Sequence, residues 1–345
     1  MPTSDLDPGD VHVLDLFCGG GGLSEGFLRA GYDVVAGVDV SEDFLATHEH
    51  NHEDALAIRA DLATVEPAEF FATHPIDPDA IDVVIGGPPC KGFSIAGHRD
   101  PDDDRNSLVG SFIDFVEFVQ PAVFVMENVP GITSMEDGDT LRSILAGFAD
   151  AGYEKTRYET LNAADYGVPQ TRRRVIFIGR RDGEQPTYPE RTHGPAEQTT
   201  LTGTRRQSYV TVADAILDRD LEGLPNTETT DHSADMVDRI ADVEPGESLY
   251  ESYGDSWRRL EPDAPAFTIK ENHNAPFIHP EKDRVGTVRE CAILQSFPDD
   301  YVFQGAKSTQ LKVVGNAVPP GLANAVAEAI AADVAAMRRA EPVSE

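Results

Sequence analysis

The first half of the chain alternates short apolar runs with amphipathic segments. Apolar runs bounded by glycine or polar residues predict buried β-strands at residues 11–17, 34–38, 81–85, 122–126 and 174–179. Segments with a helical spacing of apolar positions lie between several of them, at residues 23–30, 112–119 and 140–151. Repeated strand–helix–strand units predict a parallel, doubly wound α/β sheet.

The second half has a different texture. Residues 183–275 are rich in Pro, Gly, Thr and Glu and show weak periodicity. A helical pattern returns at residues 284–297, and we expect an alanine-rich helix at residues 322–339 to pack back on the first domain. The predicted architecture is one α/β domain, interrupted by a smaller irregular domain and hinge inserted before the C-terminal helix. The α/β domain comprises residues 1–182 and 308–345, and the smaller domain with its hinge comprises residues 183–307.

Composition places the chain among globular proteins that stay inside the cell. Of its 345 residues, 40% are hydrophobic and 8% aromatic, which supports a core and argues against disorder. No run approaches the roughly 18 consecutive apolar residues of a membrane span, and the N-terminus, Met1-Pro2-Thr3-Ser4-Asp5, has no basic segment and no apolar signal core. Cys18, Cys90 and Cys291 are too few for a disulfide framework. We therefore expect a cytoplasmic protein with no membrane association.

The formal net charge of −33 comes from 61 Asp and Glu against 28 Lys and Arg. The acids are dispersed along the chain, and only six of the cations are lysine, which is typical of proteins from halophiles. At molar salt the Debye length falls to about 3 Å, so repulsion between these charges is largely screened. The net charge therefore does not exclude a nucleic acid as partner, and local arginine clusters are more informative.

A glycine-rich loop follows the first predicted strand. The run from Asp15 to Gly22 does not fit the Gly-x-Gly-x-x-Gly dinucleotide fingerprint, because its last position never falls on glycine. With its Asp and Phe17, the loop resembles the cofactor loop of methyltransferases that use S-adenosylmethionine (SAM). Asp39 ends the next strand, where it could bind ribose hydroxyls, and Asp61 could accept from the adenine amino group. A tight turn with two capping acids remains the alternative.

Further polar groups follow other predicted strands. Cys90 comes after Gly-Gly-Pro-Pro, so its thiol is presented on a stiffened loop at the ligand edge of the sheet. Glu127 ends the next strand at the same edge. Burying a carboxylate without a partner costs free energy, so its presence there indicates a functional role. Strand alternation puts Arg172 and Arg174 on one face and Arg173 on the other. Arg172 and Arg174 are suited to recognising a phosphate or a carbonyl group.

Together these residues resemble the DNA (cytosine-5)-methyltransferase family, whose motifs occur here in the family's order. The matching segments are residues 15–21, Pro88-Pro89-Cys90, Glu127-Asn128-Val129, Gln170-x-Arg172-x-Arg174, Arg289-Glu290-Cys291 and Gly315-Asn316-Ala317-Val318-Pro319-Pro320. The resemblance implies a Rossmann-like, SAM-dependent methyltransferase sheet. The irregular segment of about 183–275 falls where this family keeps its variable target-recognition domain.

The resemblance also implies a role for each catalytic residue. Cys90 would add to carbon 6 of cytosine, which makes carbon 5 nucleophilic. Glu127 would bind or protonate ring nitrogen 3 and the exocyclic amine, and Arg174 would hold the carbonyl oxygen. Arg172 would steady the loop or a phosphate. Because the target atom is inaccessible in a duplex, the base would flip out of the DNA.

For the cofactor, the resemblance implies SAM, held by residues from several loops. Those residues are Phe17, Gly19, Gly21, Asp39, Asp61, Leu62, Pro89, Leu108 and Asn316. Residues 95–108 match the family's mobile catalytic loop, in which Arg99 and Arg105 are candidate DNA contacts. Two departures from the family are Lys91, in place of glutamine, and Ala317, in place of serine. The first changes a loop contact, and the second removes a hydroxyl contact to the cofactor.

The expected partner is double-stranded DNA, and members of this family commonly act as monomers. The pairs Arg205-Arg206 and Arg258-Arg259 lie near aromatic residues and are candidate contacts; salt-bridged surface arginines are the alternative. Whether a cognate restriction endonuclease accompanies the enzyme stays open. His48, His50 and His52 suggest a metal, but only two of them share a helical face, so we expect no metal site.

Other classes of protein remain as alternatives. A transfer RNA cytosine-5 methyltransferase of the same lineage shares the Cys90 and Glu127 motifs, although the insert lacks the Cys-Phe-Thr tripeptide typical of that branch. An inactive DNA-binding relative would have no use for Cys90, Glu127 and Arg174 together. The failed dinucleotide fingerprint disfavours a nicotinamide oxidoreductase. A cysteine after Pro-Pro, where an aromatic residue is usual, disfavours an amino-methyltransferase.

Overall fold

A computed structural model describes residues 11–89, 108–195, 198–199, 205–250, 257–270 and 276–340. Its central sheet contains β1 (His12–Leu16), β2 (Asp33–Asp39), β3 (Leu56–Arg59), β4 (Val83–Gly86), β5 (Val123–Asn128), β6 (Arg157–Asn162) and β7 (Arg173–Arg180). The seven strands lie in the order β3-β2-β1-β4-β5-β7-β6. The order reverses between β1 and β4, and such a switch point leaves a ligand crevice at the carboxyl ends of the strands.

Strand β7 corrects the prediction of a wholly parallel sheet. β1 to β5 pair in parallel, but β7 runs antiparallel to both β5 and β6. The apolar pattern does not predict β6, because this edge strand is mostly half-exposed or exposed. The link from β6 to β7 contains a single 3₁₀ turn, Ala163–Tyr166, and is too short for the crossover that parallel strands need. The start of β7 therefore lies at the carboxyl edge.

Helices cover both faces of the sheet. α1 (Gly22–Arg29) and α9 (Pro320–Ala340) pack on one face; α3 (Pro67–Thr73), α4 (Leu108–Val119) and α5 (Asp139–Asp150) pack on the other, and α2 (Glu42–Asn51) flanks β2 and β3. Alternation along β1 shows the division, since Val13 packs with α9 and Leu14 packs with α4. The doubly wound α/β fold is confirmed, and so is the return of the C-terminal helix to it.

The second region of the chain has its own elements. It contains α6 (Ala234–Ala241) and a small sheet of β8 (His193–Gly194), β9 (Gln198–Thr199) and β10 (Arg205–Ser208), in the order β8-β10-β9. A separate apolar cluster joins a π-helical turn (Ala213–Leu217), α7 (Val288–Leu294) and α8 (Lys307–Asn316). The predicted helix of residues 284–297 is too long at both ends. A capping box of Thr287 and Glu290 begins α7, and Gln295 is its C-cap.

The two cysteines in the described residues belong to the interior. Cys18 is 7% exposed and Cys291 is fully buried. Burial raises the pKa of both thiols, which disfavours the reactive thiolate form at each position. No helix in the described ranges is long and apolar enough to cross a membrane.

Candidate active site at the carboxyl edge of the sheet

The glycine loop connects β1 to α1 at the switch point. Its backbone is left-handed at Phe17 (φ 61°), Gly19 (φ 56°) and Gly21 (φ 87°). Two hydrogen bonds hold the turn, from Cys18 N to Val38 O at 3.0 Å and from Gly21 N to Cys18 O at 2.9 Å. A Cβ atom on Gly19 would meet no atom within 4 Å, so this side of the loop faces open space.

Asp39, at the end of β2, is bonded to the glycine loop. Its Oδ2 accepts from Gly19 N at 2.9 Å, and its Oδ1 accepts from Ser41 N at 2.8 Å. Burial raises the pKa of Asp39, while these backbone donors oppose the rise. Each oxygen keeps a second lone pair, so the carboxylate can also accept from a ribose hydroxyl.

Asp61 and Leu62 follow β3 at the same edge. Asp61 is exposed, and its Oδ1 accepts from Ala63 N at 3.1 Å. Leu62 is buried in the apolar cluster against which Phe17 packs. An aromatic ring, two carboxylates and an open glycine face thus come from three neighbouring strand ends. This set fits the adenosine part of SAM.

α8 brings Asn316 to the glycine loop from the far end of the sequence. A Cβ atom on Gly20 would lie 2.2 Å from Val313 Cγ1, and one on Gly22 would lie 2.4 Å from Val318 O. The loop and residues 313–318 are therefore in direct contact. Asn316 is the exposed last residue of α8, beside the loop that would hold the cofactor.

A buried polar network adjoins the glycine loop, and no sequence motif indicates it. Ser24 Oγ donates to Asp15 Oδ2 at 2.6 Å and lies 3.2 Å from His48 Nε2. Burial raises the pKa of Asp15 to about 7 and lowers the pKa of His48 to about 3, so burial favours the neutral form of each group. The ring of His52 makes an edge contact with that of His48. The network supports the loop from its buried side.

Two of the three histidines have a packing role. Cβ atoms on Gly37 and Gly21 would lie 2.3 Å from ring atoms of His48 and His52, whereas His50 is exposed. The two buried rings therefore fill space that the glycines leave. Among the residues that the structure describes, no group of three or more His, Cys, Asp or Glu is placed to hold a metal ion.

Asn128 pins the loop that follows β4. Its Nδ2 donates to Pro88 O at 2.9 Å, and its Oδ1 accepts from Val129 N at 2.9 Å. Asn128 is buried, so both bonds are protected from water. The Glu-Asn-Val motif contains this residue, but the pattern alone does not reveal its partner 40 positions earlier. Asn128 is thus a positioning residue beyond those that the sequence predicts.

The predicted nucleophile itself lies outside the described residues. Cys90, Lys91, Arg99 and Arg105 all lie in the segment of residues 90–107, outside the described ranges. On the described side it is bounded by Pro89, which is exposed after β4, and by Leu108, which begins α4.

Glu127 and Arg174 form an ion pair where β5 ends and β7 begins. Arg174 Nε lies 2.6 Å from Glu127 Oε1, and the two side chains are 12% and 11% exposed, respectively. Burial raises the pKa of Glu127, while Arg174 and Arg172 oppose the rise. A Cβ atom on Gly87 would lie 3.1 Å from Glu127 Oε2, so the second oxygen faces the loop that leads to Cys90.

Arg172 lies in the interior. Its Nη1 donates to Ile269 O at 2.7 Å and its Nη2 donates to Gly315 O at 2.8 Å, while its Nε has no hydrogen-bond partner among the described residues. Burial lowers the pKa of this guanidinium, and Arg174 adds to the effect. The position suits a residue that steadies two segments, since both terminal nitrogens are committed to carbonyls. Arg173 is exposed, as strand alternation predicts.

Comparison with known proteins shows the family of the chain. Residues 11–332 match the family described as C-5 cytosine-specific DNA methylase. The type II methyltransferase M1.HphI of Haemophilus parahaemolyticus is 40% identical over 335 residues, which cover 92% of this chain and 86% of that protein.

Solved structures with the same fold include two methyltransferases. A prophage-encoded E. coli protein described as a DNA modification methyltransferase aligns with a TM-score of 0.71 at 27% identity, over 93% of this chain and 98% of that one. The S. pombe Dnmt2 methyltransferase aligns with a TM-score of 0.63 at 16% identity, over 95% and 99%, and shows the shared fold alone. The chain belongs to the C-5 cytosine-specific DNA methylase family and is a DNA cytosine-5 methyltransferase with SAM as methyl donor.

Proposed function

We propose that this enzyme methylates carbon 5 of a flipped-out cytosine in a specific duplex DNA sequence, through a covalent bond to Cys90. The Glu127–Arg174 pair carries the proposal, because it lies beside the loop that leads to Cys90 and at the same sheet edge as the SAM loop. A carboxyl group and a guanidinium held together match the two polar edges of a cytosine ring.

The chemistry requires charge to be drawn from the ring during attack. The Cys90 thiolate would bond to carbon 6 while Glu127 donates a proton to ring nitrogen 3, which leaves carbon 5 nucleophilic. Carbon 5 would then take the methyl group that SAM supplies, with S-adenosylhomocysteine as the leaving group. A solvent base would remove the carbon 5 proton while the bond between carbon 6 and Cys90 breaks, which releases the thiolate, and ring nitrogen 3 would return its proton to Glu127. Burial favours the protonated form of Glu127, and Arg174 orients it through Oε1.

We assign target recognition to the smaller region of residues 183–307, with residues 1–182 and 308–345 as the catalytic domain. The two regions are joined next to the active site, where Thr171 N donates to Ala266 O at 2.7 Å and Ala266 N donates to Pro169 O at 2.9 Å. A recognition segment bonded this close to Arg172 and Arg174 would place its DNA within reach of the catalytic residues.

The biological setting that we propose is restriction and modification. The relative M1.HphI is named as a type II methyltransferase. We infer that this enzyme likewise acts as a cytoplasmic monomer whose methylation protects sites from a cognate restriction endonuclease. The two proteins would be functional partners without forming a complex. A nuclease gene next to this one would support the pairing, and a genome without such a nuclease would contradict it.

The decisive experiment is methyl transfer from labelled SAM to mixed-sequence duplex DNA and, separately, to transfer RNA, in molar KCl. We expect label in DNA, loss of that label in Cys90→Ser with SAM binding retained, and wild-type transfer by the control variant Cys291→Ala. Bisulfite sequencing of the product then gives the target site. Label only in RNA would contradict the DNA assignment. Label in neither substrate, with SAM bound, would indicate an inactive binding protein.

A further inference from the structure

A pocket opens beside Thr171, on the segment that leads into β7 and Arg174. We call it the 258–270 pocket. Its volume is about 380 Å³, and it lies between Thr171 and residues 258–270. The charged and aromatic residues of its lining are Arg258, Arg259, Glu261, Phe267 and Lys270. None of these residues has a part in the catalytic steps proposed above.

Residues 266–269 of the pocket lining are hydrogen-bonded to residues 169–172, which lead into β7. Beyond the two backbone bonds between Ala266 and residues 169–171, Thr268 Oγ1 donates to Thr171 O at 2.7 Å. Ile269 N donates to Gln170 Oε1 at 3.0 Å, and Ile269 O accepts from Arg172. Thr171 is three residues from Arg174, a path of about 10 Å along a strand. This equals about three nucleotide steps of one DNA strand.

The guanidinium of Arg258 is held in place. Its centre lies 5.7 Å from the ring centroid of Phe267, and its Nε donates to Gly246 O at 2.8 Å. A stacked guanidinium loses little freedom when it binds an anion, so it is prepared for one. The neighbouring Arg259 differs, because it is 5% exposed and bonded to interior carbonyls and to Asp283.

The charge of the pocket is opposite to that of the chain. Arg258 and the exposed Lys270 face it, against one carboxylate, Glu261, which lies against Gly246. Two cations in one pocket stand out in a protein of net charge −33. A singly charged anion with polar oxygens suits this lining, and a phosphodiester of the bound DNA is the anion nearest to the active site.

We propose that the 258–270 pocket binds a backbone phosphate of the DNA within a few nucleotides of the target cytosine. Arg258 and Lys270 would contact the phosphate oxygens, and Phe267 would hold the guanidinium in orientation. The inference rests on the proposed action on duplex DNA. The contact would fix the register of the strand and would carry no sequence information.

The test compares Arg258→Ala and Lys270→Gln with Arg142→Ala, a matched control that removes an exposed arginine on α5. Binding of a fluorescent duplex containing the target site, and of one lacking it, is measured by anisotropy from 50 to 500 mM KCl. We expect each pocket variant to bind both duplexes more weakly than the wild type does, with a similar loss of affinity for each duplex, of about 5-fold or more. The dependence of log K on log salt should become less steep in each variant, by at most about one, because both cations contact the same phosphate. SAM affinity and the melting temperature report whether the variants remain folded.

Three outcomes would overturn the proposal. One is wild-type affinity and salt slope in both pocket variants. Another is loss of affinity for the target duplex alone, which would indicate base recognition. A third is equal weakening in Arg142→Ala, which would indicate a general charge effect. If the wild-type protein methylates DNA and the pocket variants bind DNA normally, only this inference is contradicted. If the wild-type protein neither binds nor methylates DNA, the proposed function is contradicted as well.

Discussion

Arg174 Nε and Glu127 Oε1 lie 2.6 Å apart across two antiparallel strands, so the guanidinium fixes the carboxyl group from the neighbouring strand. Neither side chain reaches far into solvent, and the strand pairing between β5 and β7 holds their backbones in register. The pair is therefore set before any substrate binds, which is the condition for efficient electrostatic stabilisation.

Replacing Glu127 by glutamine should slow methyl transfer while SAM binding stays near that of the wild type. Glutamine keeps the shape but cannot deliver a proton, and loss of a general acid costs about 100-fold or more in rate. Single-turnover kinetics with labelled SAM measure the effect. Glu117→Gln, an exposed site on α4, is the control and should react normally. A wild-type rate in Glu127→Gln would remove Glu127 from the mechanism.

The variant Arg174→Gln should shift the pH profile. Arg174 lowers the pKa of Glu127, so without it that pKa rises further and the carboxyl proton is kept to higher pH. The alkaline limb of kcat/KM should therefore move to higher pH while the maximum falls. Arg173→Gln, at the exposed neighbouring position, should leave the limb in place. A limb that moves to lower pH in Arg174→Gln would contradict this account of Glu127.

Gly21→Ala should destabilise the fold and abolish SAM binding. Its Cβ would lie 2.3 Å from His52 Cε1, and the residue has a φ of +87°. Strain and overlap together should cost more than about 2 kcal/mol. Gly183→Ala separates the two effects, because Gly183 has a φ of +70° but nothing within 4 Å of the added atom. Chemical denaturation of both variants is the measurement, and equal losses would show that the His52 contact is unimportant.

Asp15→Asn should flatten the pH dependence of stability. Folding raises the pKa of Asp15 from 3.8 to about 7, so between these values the folded protein keeps a proton that the unfolded chain has lost. Stability therefore falls as pH rises through this window, by about 1.4 kcal/mol per pH unit for one proton. The free energy of unfolding at pH 5, 6 and 7 should show this slope in the wild type and a smaller one in the variant. Identical slopes would place the proton elsewhere.

The dispersed acidic surface predicts a salt dependence. The halophilic interpretation predicts that the melting temperature rises between dilute buffer and molar KCl. Salt screens the repulsion among the carboxylates of a chain whose net charge is −33. A melting temperature that stays level or falls over that range would contradict the halophilic interpretation. The proposed DNA contacts do not depend on this outcome.

The sequence predicts the central strands better than the edges, for a physical reason. β1, β2, β4 and β5 are covered by helices on both faces, so they appear as continuous apolar runs. β3 and β6 lie at the two edges of the sheet and lack such runs, and nothing in the pattern indicates them. The direction of β7 depends on the length of its link to β6, which the strand pattern does not contain.

The candidate site divides in a similar way. The resemblance of the motifs identifies Glu127 and Arg174. A wholly parallel sheet would put the start of β7 at the opposite edge from Glu127, so the antiparallel course of β7 is what brings Arg174 to it. The partners of Arg172 lie 97 and 143 positions further along the chain, and no local pattern encodes such distances. The roles of Asn128 and His48 likewise depend on what tertiary structure places against them, a loop carbonyl and a glycine.

The antiparallel course of β7 has an evolutionary consequence. Glu127 and Arg174 are placed by neighbouring strands of the sheet, and the chain reaches its second region only after β7 has ended at Arg180. That region returns to the sheet through a short anchored stretch at residues 266–269. Substitutions and length changes between these points can accumulate without displacing the reacting groups. Because we propose that this region recognises the DNA target, we expect lineages with this frame to acquire new DNA targets while they inherit the same chemistry.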